Sequence, residues 1–314
     1  MLATQRLAAR SYSPSALQHF AACPYRFLLH AIHRLRPREE KVALERMDPL
    51  TRGALFHEAQ FRLFRELQSA QLLPMRPQNA ARIIEIADRV LDRVAAENEE
   101  KLAPAIPRVW RSEIEDLRID LRGWIQQAAA DDGWLPAHFE FSFGIDAHEL
   151  RDPQSTNAEA VLDGGVRLRG AIDLIEKHTV RGTLRITDHK TGKPPQELPK
   201  YVGGGALLQP LAYAMAAEAL LGAPAEVSRL SYCTQRGGYQ EIPFDITPRH
   251  RAFFTHAMSL IDGAIDRGFL PAAPQSGACG MCDYLPVCGP NEERRTARKR
   301  REPLEALQDL RNIP

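Results

Sequence analysis

The chain has 314 residues, 44% of them hydrophobic and 26% charged, which is the composition of an ordinary soluble globular protein. No apolar run approaches the ~20 residues that a membrane span needs, and the N-terminus lacks a signal-peptide core, so we expect a cytoplasmic protein without a membrane partner. The net charge of +1 excludes binding of nucleic acid through bulk charge and requires a local basic patch; "EERRTARKRR" at 292–301 is one, although a solvated helix or a frayed end explains it equally simply.

The first 130 residues are predicted to be mainly helical. Ser13 and Pro14 make a good N-cap and first-turn pair for the first helix. Apolar residues then recur at helical spacing in three further stretches. The four predicted helices cover 13–32, 48–68, 78–102 and 107–130.

After "DDGWLP" the apolar period changes from that of a helix to that of a strand. Gly182 is the predicted turn residue of a hairpin between the second and third strands, and Val166, Leu168, Ile172 and Leu174 are predicted to share one face of the second. The later elements alternate between helix and strand. In order they are strands at 138–146, 166–176 and 183–190, a helix at 206–221, a strand pair around "SRLSYCT" and "GYQEIPF", and a helix at 249–267.

This order, helices first and a flanked central sheet after them, indicates an α+β fold. We expect a single main domain with a short extension at each end. Its parts are an N-terminal extension (1–12), a main domain (13–290) and a basic tail (291–314). The main domain is made of a helical part (13–135), a sheet core (136–248) and a C-terminal helix with cysteines (249–290).

Two predicted strands end in carboxylates. Asp188 and Lys190 are two residues apart, so both side chains leave the same face, and the hairpin can bring Asp173 beside them. Two neighbouring carboxylates repel, and a hard divalent cation such as Mg²⁺ or Mn²⁺ removes that penalty. Such a cation polarises a phosphoryl oxygen and lowers the pKa of a bound water, and a lysine can offset the developing charge. The cluster therefore predicts hydrolysis of a phosphodiester, whereas an exposed hairpin with scattered charges is the plain alternative.

Three further side chains accompany this cluster. His57 is followed by Phe61 and Phe64 at helical spacing, which predicts a neutral imidazole facing inward; such a histidine is otherwise an ordinary core residue. Gln209 and Tyr213 lie on one face of the next predicted helix, which is also compatible with ordinary helix surface.

Four elements follow one another in the chain: the GxxxH helix (Gly53 to His57), the strand ending GAID, the strand ending DHK and the QxxxY helix. Together and in this order they resemble the PD-(D/E)xK nuclease superfamily in its RecB-like branch. The resemblance covers about residues 13–290 and implies a restriction-endonuclease-like mixed sheet flanked by helices. It also implies roles for individual residues, with Asp188 standing where many members carry Glu. The metal ligands would be His57, Asp173, Asp188 and the backbone carbonyl of His189; the catalytic lysine would be Lys190; Gln209 and Tyr213 would lie near the substrate backbone, and Glu140 would be the acidic residue of the first strand.

Cysteines form a second constellation. Cys279, Cys282 and Cys288 make a C-x2-C-x5-C run, Cys23 is the natural fourth ligand, and Cys233 is left as a plain buried thiol. Four thiolates can hold zinc or a 4Fe–4S cluster, and the spacing alone leaves both open. The resemblance favours the iron–sulfur cluster, because one distant cysteine and a C-terminal trio are similar to AddB-type nuclease domains and CRISPR-adaptation exonucleases. Closing so long a loop stabilises the fold by on the order of 4–5 kcal/mol, by analogy with a disulfide.

We therefore expect a metal-dependent DNA nuclease, exonucleolytic on ends or single strands, in DNA repair, recombination or defence. No P-loop is present, so any helicase would be a separate partner, as would another repair protein. An inactive DNA-end-binding module of the same fold and an RNA-directed nuclease are the alternatives.

Overall fold

The computed structural model describes residues 2–37, 43–146, 150–300 and 304–314, and in these ranges helices precede the main sheet as predicted. The helices are α1 (Pro14–Ala22), α2 (Pro24–Phe27), α3 (Pro49–Ser69), α4 (Ala80–Leu102), α5 (Pro107–Ala130), α6 (Gln209–Leu221), α7 (Pro248–Asp266), α8 (Leu285–Cys288), α9 (Glu292–Thr296) and α10 (Glu305–Arg311). The strands are β1 (Trp134–Phe143), β2 (Ala160–Val161), β3 (Arg167–Leu168), β4 (Gly170–His178), β5 (Leu184–Lys190), β6 (Ala225–Tyr232) and β7 (Glu241–Asp245).

Helices α1, α3 and α7 begin in the same way. Ser13, Asp48 and Thr247 each accept a hydrogen bond from a backbone N–H two or three residues further on, and each is followed by a proline. The side chain satisfies an otherwise unpaired N–H, and the fixed φ of proline suits the first helical position. The N-cap predicted at Ser13 is therefore confirmed.

The central sheet has five strands in the order β1-β4-β5-β6-β7. The β5–β6 pair is parallel and the other neighbours are antiparallel, so the sheet is mixed. Helices cover both faces: α1, α6, α7 and α10 contribute to one apolar core, and α3, α4 and α5 contribute to the other. The predicted α+β class with a flanked mixed sheet is confirmed.

Two details of the strands differ from the prediction. Strand β1 begins at Trp134, four residues before the predicted start. Pro136 interrupts the alternation of apolar and polar residues, and the pairing register with β4 shifts between Pro136 and His138, so the first residues do not show the pattern of a strand. Leu174 does not share a core with Ile172: Leu174 packs under α3–α5, whereas Ile172 packs against the opposite layer. The face change falls at the point where the sheet opens to form the site.

The β4–β5 hairpin positions that opening. Gly182 has φ +69° and is the predicted turn residue. From the turn the two strands pair as far as Leu174 and Thr187, and the ladder stops there. Asp173 and Asp188 are the next residue on each strand, so both carboxylates lie where the strands diverge.

Both ends of the chain pack into the same body. Leu7 is buried next to α7, and Arg6 donates to Asp262 on that helix at 2.5 Å. The last part of the predicted tail forms α10, whose Leu310 is fully buried in the first core. Among the described residues, no helix has the length and apolar character needed to cross a membrane.

Candidate active site

Three side chains from three elements meet at the opening. His57 lies on α3, Glu140 on β1 and Asp173 on β4, and one ligand atom from each lies within 4.8 Å of the other two. The Nδ1 atom of His57 is 3.5 Å from Glu140 Oε1 and 3.6 Å from Asp173 Oδ2. Imidazole nitrogen together with carboxylate oxygen is a donor set that fits a divalent metal such as Mg²⁺ or Mn²⁺.

Asp188 lies near enough to this trio to be influenced by the charge of Asp173, but it is not among the residues whose ligand atoms lie within 4.8 Å of one another. One of its oxygens accepts a hydrogen bond of 2.6 Å from the amide of Gln209, the first residue of α6. The other oxygen is buried, forms an ion pair with the Lys190 ammonium, and has no well-aligned hydrogen bond. A buried carboxylate oxygen with this much unused acceptor capacity is suited to a cation.

The backbone and the side chain of His189 make different contacts. Its N–H donates to Asp173 Oδ2 at 2.6 Å, in place of a backbone partner on β4. The N–H and C=O of one strand residue point to the same side, so the His189 carbonyl also faces Asp173, as the resemblance implies. The imidazole is buried, and its ring centroid lies 5.6 Å from that of Trp124 and 6.2 Å from that of His57.

Two other predicted residues act through packing. Tyr213 is only 8% exposed and lies under the site, where a Cβ at Gly170 would be 3.0 Å from its hydroxyl oxygen. A direct contact between Tyr213 and a substrate therefore stays a prediction. Gly53, the first residue of the GxxxH pattern, faces Thr191 Oγ1, to which a Cβ would be 3.4 Å, and this lets α3 approach the end of β5.

The electrostatics of the site reflect crowded carboxylates. Burial and the neighbouring Asp173 raise the pKa of Asp188 to about 6, and burial likewise raises the pKa of Asp173. Burial disfavours the charged form of His57, but Asp173 and Glu140 outweigh it and raise its pKa to about 9. The two carboxylates therefore favour the protonated form of His57, and the expected neutral imidazole stays a prediction.

Glu140 is the residue that the sequence pattern identified least clearly. Its φ of +52° lies in the left-handed region, which interrupts β1 and directs the carboxylate toward His57. An acidic residue in the otherwise apolar "HFEFSF" was the available signal. Strand alternation contains no information about a left-handed residue.

The four cysteines of the second constellation line one cavity, together with Arg26 and Tyr284. All four are free thiols, and burial raises the pKa of Cys279 to about 12. Within the described ranges, no three of their sulfur atoms lie within 4.8 Å of one another, so they do not form a compact ligand cluster. Cys233 is fully buried next to β6, in agreement with the prediction of a plain thiol.

A mixed sheet that presents Asp173, Asp188 and Lys190 at one opening, beside His57 of α3, defines a class of metal-dependent phosphodiester hydrolases. The family model of the PD-(D/E)XK nuclease superfamily matches residues 11–289, and the chain belongs to that superfamily. This implies a nuclease-type function. No curated protein matches the chain.

Proposed function

We propose that the protein is a metal-dependent nuclease that hydrolyses DNA phosphodiesters, exonucleolytically on ends or single strands, in DNA repair, recombination or defence. The observation that carries the proposal is the convergence of Asp173 and Asp188 with Lys190 at the point where β4 and β5 diverge. A structural ion pair would not need a second buried carboxylate beside the first, because like charges repel most strongly where water is excluded.

The proposed metal ligands are His57, Asp173, Asp188 and the His189 carbonyl, with Glu140 as a further carboxylate. When bound there, a divalent ion supplies Lewis-acid stabilisation of the phosphoryl group and a water of lowered pKa. The backbone N–H of His189 orients the Asp173 carboxylate by donating to its Oδ2 atom.

Lys190 is the proposed catalytic lysine. Its side chain is 37% exposed, whereas Asp188 is almost fully buried, so the ammonium is the part of the pair that reaches solvent and substrate. It offsets negative charge that develops on the phosphate and orients the attacking water. Gln209 is proposed as a positioning residue, because its amide fixes the Asp188 carboxylate. We propose the same for Tyr213.

The test is cleavage of end-labelled single-stranded and duplex DNA, of both polarities, with Mg²⁺ and with Mn²⁺. We expect degradation from an end that Lys190→Ala abolishes, while Lys193→Ala, which alters an exposed lysine three residues further on, retains it. Binding without cleavage under every metal condition would favour a DNA-end-binding module instead. Cleavage of RNA in preference to DNA would favour an RNA-directed nuclease.

We also propose that Cys23, Cys279, Cys282 and Cys288 hold a 4Fe–4S cluster. The support is that the four thiols line one cavity between the N-terminal helices and the C-terminal segment. A tetrahedral zinc site with bonds of ~2.3 Å would place its sulfurs about 3.8 Å apart. No three of the described sulfurs are that close to one another, so the proposal of a larger group rests on the shared cavity and on the resemblance. Such a group would supply a structural link between the two ends of the chain, with zinc as the alternative.

Anaerobic purification with metal analysis distinguishes the two groups. We expect iron and sulfide with visible charge-transfer absorption, lost in Cys23→Ala but retained in Cys233→Ala, because Cys233 lies outside the cavity. A colourless protein with one zinc per chain would support the alternative. The absence of both would contradict a four-cysteine site.

A further inference from the structure

A cleft of about 470 Å³ opens beside the end of β5. Its volume lies in the range of ~300–1,000 Å³ that is typical of a site for one small ligand. It is too small for a base-paired duplex, because a duplex is wider than its major groove, which is itself about 12 Å wide. Among its lining residues are Met47, Asp116, Ile119, Thr191, Gly192 and Arg236.

The walls of this cleft are fixed by one buried carboxylate. Asp120 of α5 accepts 2.8 Å hydrogen bonds from Arg52 of α3 and from the backbone N–H of Gln235. Thr234 Oγ1 donates to the Thr191 carbonyl, which ties the β6–β7 loop to the residue after Lys190. Because three elements are joined in this way, the cleft is a built feature and not a gap between mobile loops.

The position of the cleft relates it to the reacting phosphate. Thr191 and Gly192 follow Lys190 directly, and consecutive Cα atoms are about 3.8 Å apart. A strand whose phosphate lies at Lys190 would therefore place its adjoining nucleotide within reach of the cleft.

The chemistry of the walls favours a nucleobase over a phosphate. Ile119 is 48% exposed, and with Met47 it offers an apolar surface on which a flat base can pack. The charged lining residues are largely balanced, because Arg46 lies 3.7 Å from Glu113 and Arg52 is paired with Asp120. The carboxylate of Asp116 can then accept a hydrogen bond from the exocyclic amine of a base. Arg236 is exposed and forms no ion pair with a described residue, so its guanidinium can meet the substrate backbone at the rim of the cleft.

We infer that this cleft binds the base and sugar of the nucleotide next to the scissile phosphate. The inference rests on the proposed function. It assigns to that function a single-stranded substrate, because a base enters the cleft only when it is not paired.

The test uses a labelled single-stranded oligonucleotide and Ca²⁺, with binding measured by fluorescence anisotropy in the full-length protein. Gly192→Leu fills the cleft: a Cβ at this position meets no atom within 4 Å, and its φ is not positive. Ile119→Ala removes the apolar wall. We expect each to weaken binding by about tenfold, the effect of losing one base contact. The control Val180→Ala truncates a β-branched apolar residue that is exposed on the β4–β5 turn, and this variant should bind like the wild type.

Oligonucleotides with a single abasic site, scanned along the strand, identify the contact itself. One abasic position should weaken binding to the wild type, and the same position should have no further effect on Gly192→Leu. Equal abasic effects in both proteins, or wild-type affinity in both cleft variants, would overturn the inference. A strand that binds in this pattern without being cleaved would contradict the nuclease function alone, whereas cleavage that is unaffected by the cleft variants would contradict the cleft alone.

Discussion

At the scale of single residues, Glu140 is where the chain leaves regular structure to build the site. Phe139 and Phe141 would share a face in an undistorted strand, yet Phe139 packs under α3–α5 and Phe141 packs into the opposite core. The left-handed backbone of Glu140 lies between them. This conformation costs about 1–2 kcal/mol for a residue other than glycine, so the surroundings must hold it in place.

Two substitutions of Glu140 distinguish the effect of its backbone conformation from the effect of its carboxylate. Glu140→Gly should be more stable than Glu140→Ala by about 1 kcal/mol, because glycine adopts a positive φ without strain. Both variants should lose the thermal stabilisation that Mn²⁺ gives the wild type, since both lack the carboxylate. Denaturant unfolding in EDTA and melting with added Mn²⁺ measure the two effects. Equal stability of the two variants would mean that the left-handed conformation is not maintained in solution.

Asp152 is the residue that holds Glu140 in this conformation. Its N–H donates to the Glu140 carbonyl at 3.1 Å, and its carboxylate accepts from the N–H groups of Phe139 and Gln154. Burial alone would raise the pKa of Asp152, but the hydrogen bonds, including one with His138, outweigh it and lower the pKa.

Asp152→Asn should therefore lower the free energy of unfolding by about 1.5–3 kcal/mol at neutral pH, the usual contribution of hydrogen bonds to a charged group. A depressed folded-state pKa gives stability that is present above the unfolded value of about 3.9 and is lost as the pH falls through the folded value. The difference between wild type and variant should thus narrow in acid. Unfolding at neutral and acidic pH tests this, with Asp146→Asn on the same loop, an exposed residue, as the control. A gap that stays constant with pH would exclude a role for the charge.

How far the site was readable from the sequence follows from these residues. The shared face of Asp188 and Lys190 was predictable, because residues two apart on a strand leave the same side, whereas the roles of His57 and Asp173 came from the resemblance to the superfamily. The contribution of Asp152 was not, because its contacts cross from a loop to a strand and no periodicity records them. The cleft beside Thr191 was equally invisible, since its walls come from segments far apart in the chain.

At the scale of elements, strand β5 is held by polar contacts on the face opposite the Asp188 side chain. Arg185 and Thr187 alternate with Ile186 and Asp188, and both donate to the buried carboxylate of Glu176 on β4, at 2.7 and 3.0 Å. Arg229 of β6 donates to the same carboxylate at 3.1 Å. One acid thus joins three neighbouring strands beneath the site.

Removing this acid should be far more costly than removing an exposed one. Glu176→Gln removes the most buried charge partner of Arg185 and Arg229 and leaves them Asp131 and, for Arg229, Glu241. We expect a loss of about 3 kcal/mol in the free energy of unfolding, the lower end for breaking a buried ion pair. Glu226→Gln breaks the exposed pair with Arg181 and should cost at most ~1 kcal/mol. Urea unfolding of the two variants provides the comparison. A small loss for Glu176→Gln would show that Asp131, which also contacts Arg185, replaces it.

At the scale of the whole molecule, the C-terminal segment connects the cysteine cavity to the active site. Arg311 donates to the carbonyls of Ala21 and Ala22, just before Cys23. The carbonyls of Ile313 and Pro314 accept from the backbone before α6. The basic composition of the predicted tail gave no sign of this docking, because Leu304, Leu307, Leu310 and Ile313 follow a run of arginines and span too few turns to specify a packed helix by themselves. The short α10 helix and its neighbours are specified by tertiary packing.

The docking depends on a glycine at position 204, and this allows a last prediction. Gly204 has φ +62°, and a Cβ there would lie 2.7 Å from the Arg311 carbonyl oxygen. Gly222 has a similar φ of +67° with no atom within 4 Å, so it is a matched control for backbone strain alone. Gly222→Ala should cost about 1 kcal/mol, and Gly204→Ala should cost more, because the C-terminal segment must also move.

The displacement of the C-terminal segment should also change the geometry of the active site. Gly204 lies five residues before Gln209, whose amide positions Asp188, and Gln18 of α1 caps the start of the same helix. Gly204→Ala should therefore lower kcat as well as stability, whereas Gly222→Ala should leave kcat unchanged. Denaturant unfolding and nuclease assays on the two proteins measure both quantities. If Gly204→Ala lost stability without any change in kcat, the C-terminal segment would serve the fold alone and would not position the catalytic helix.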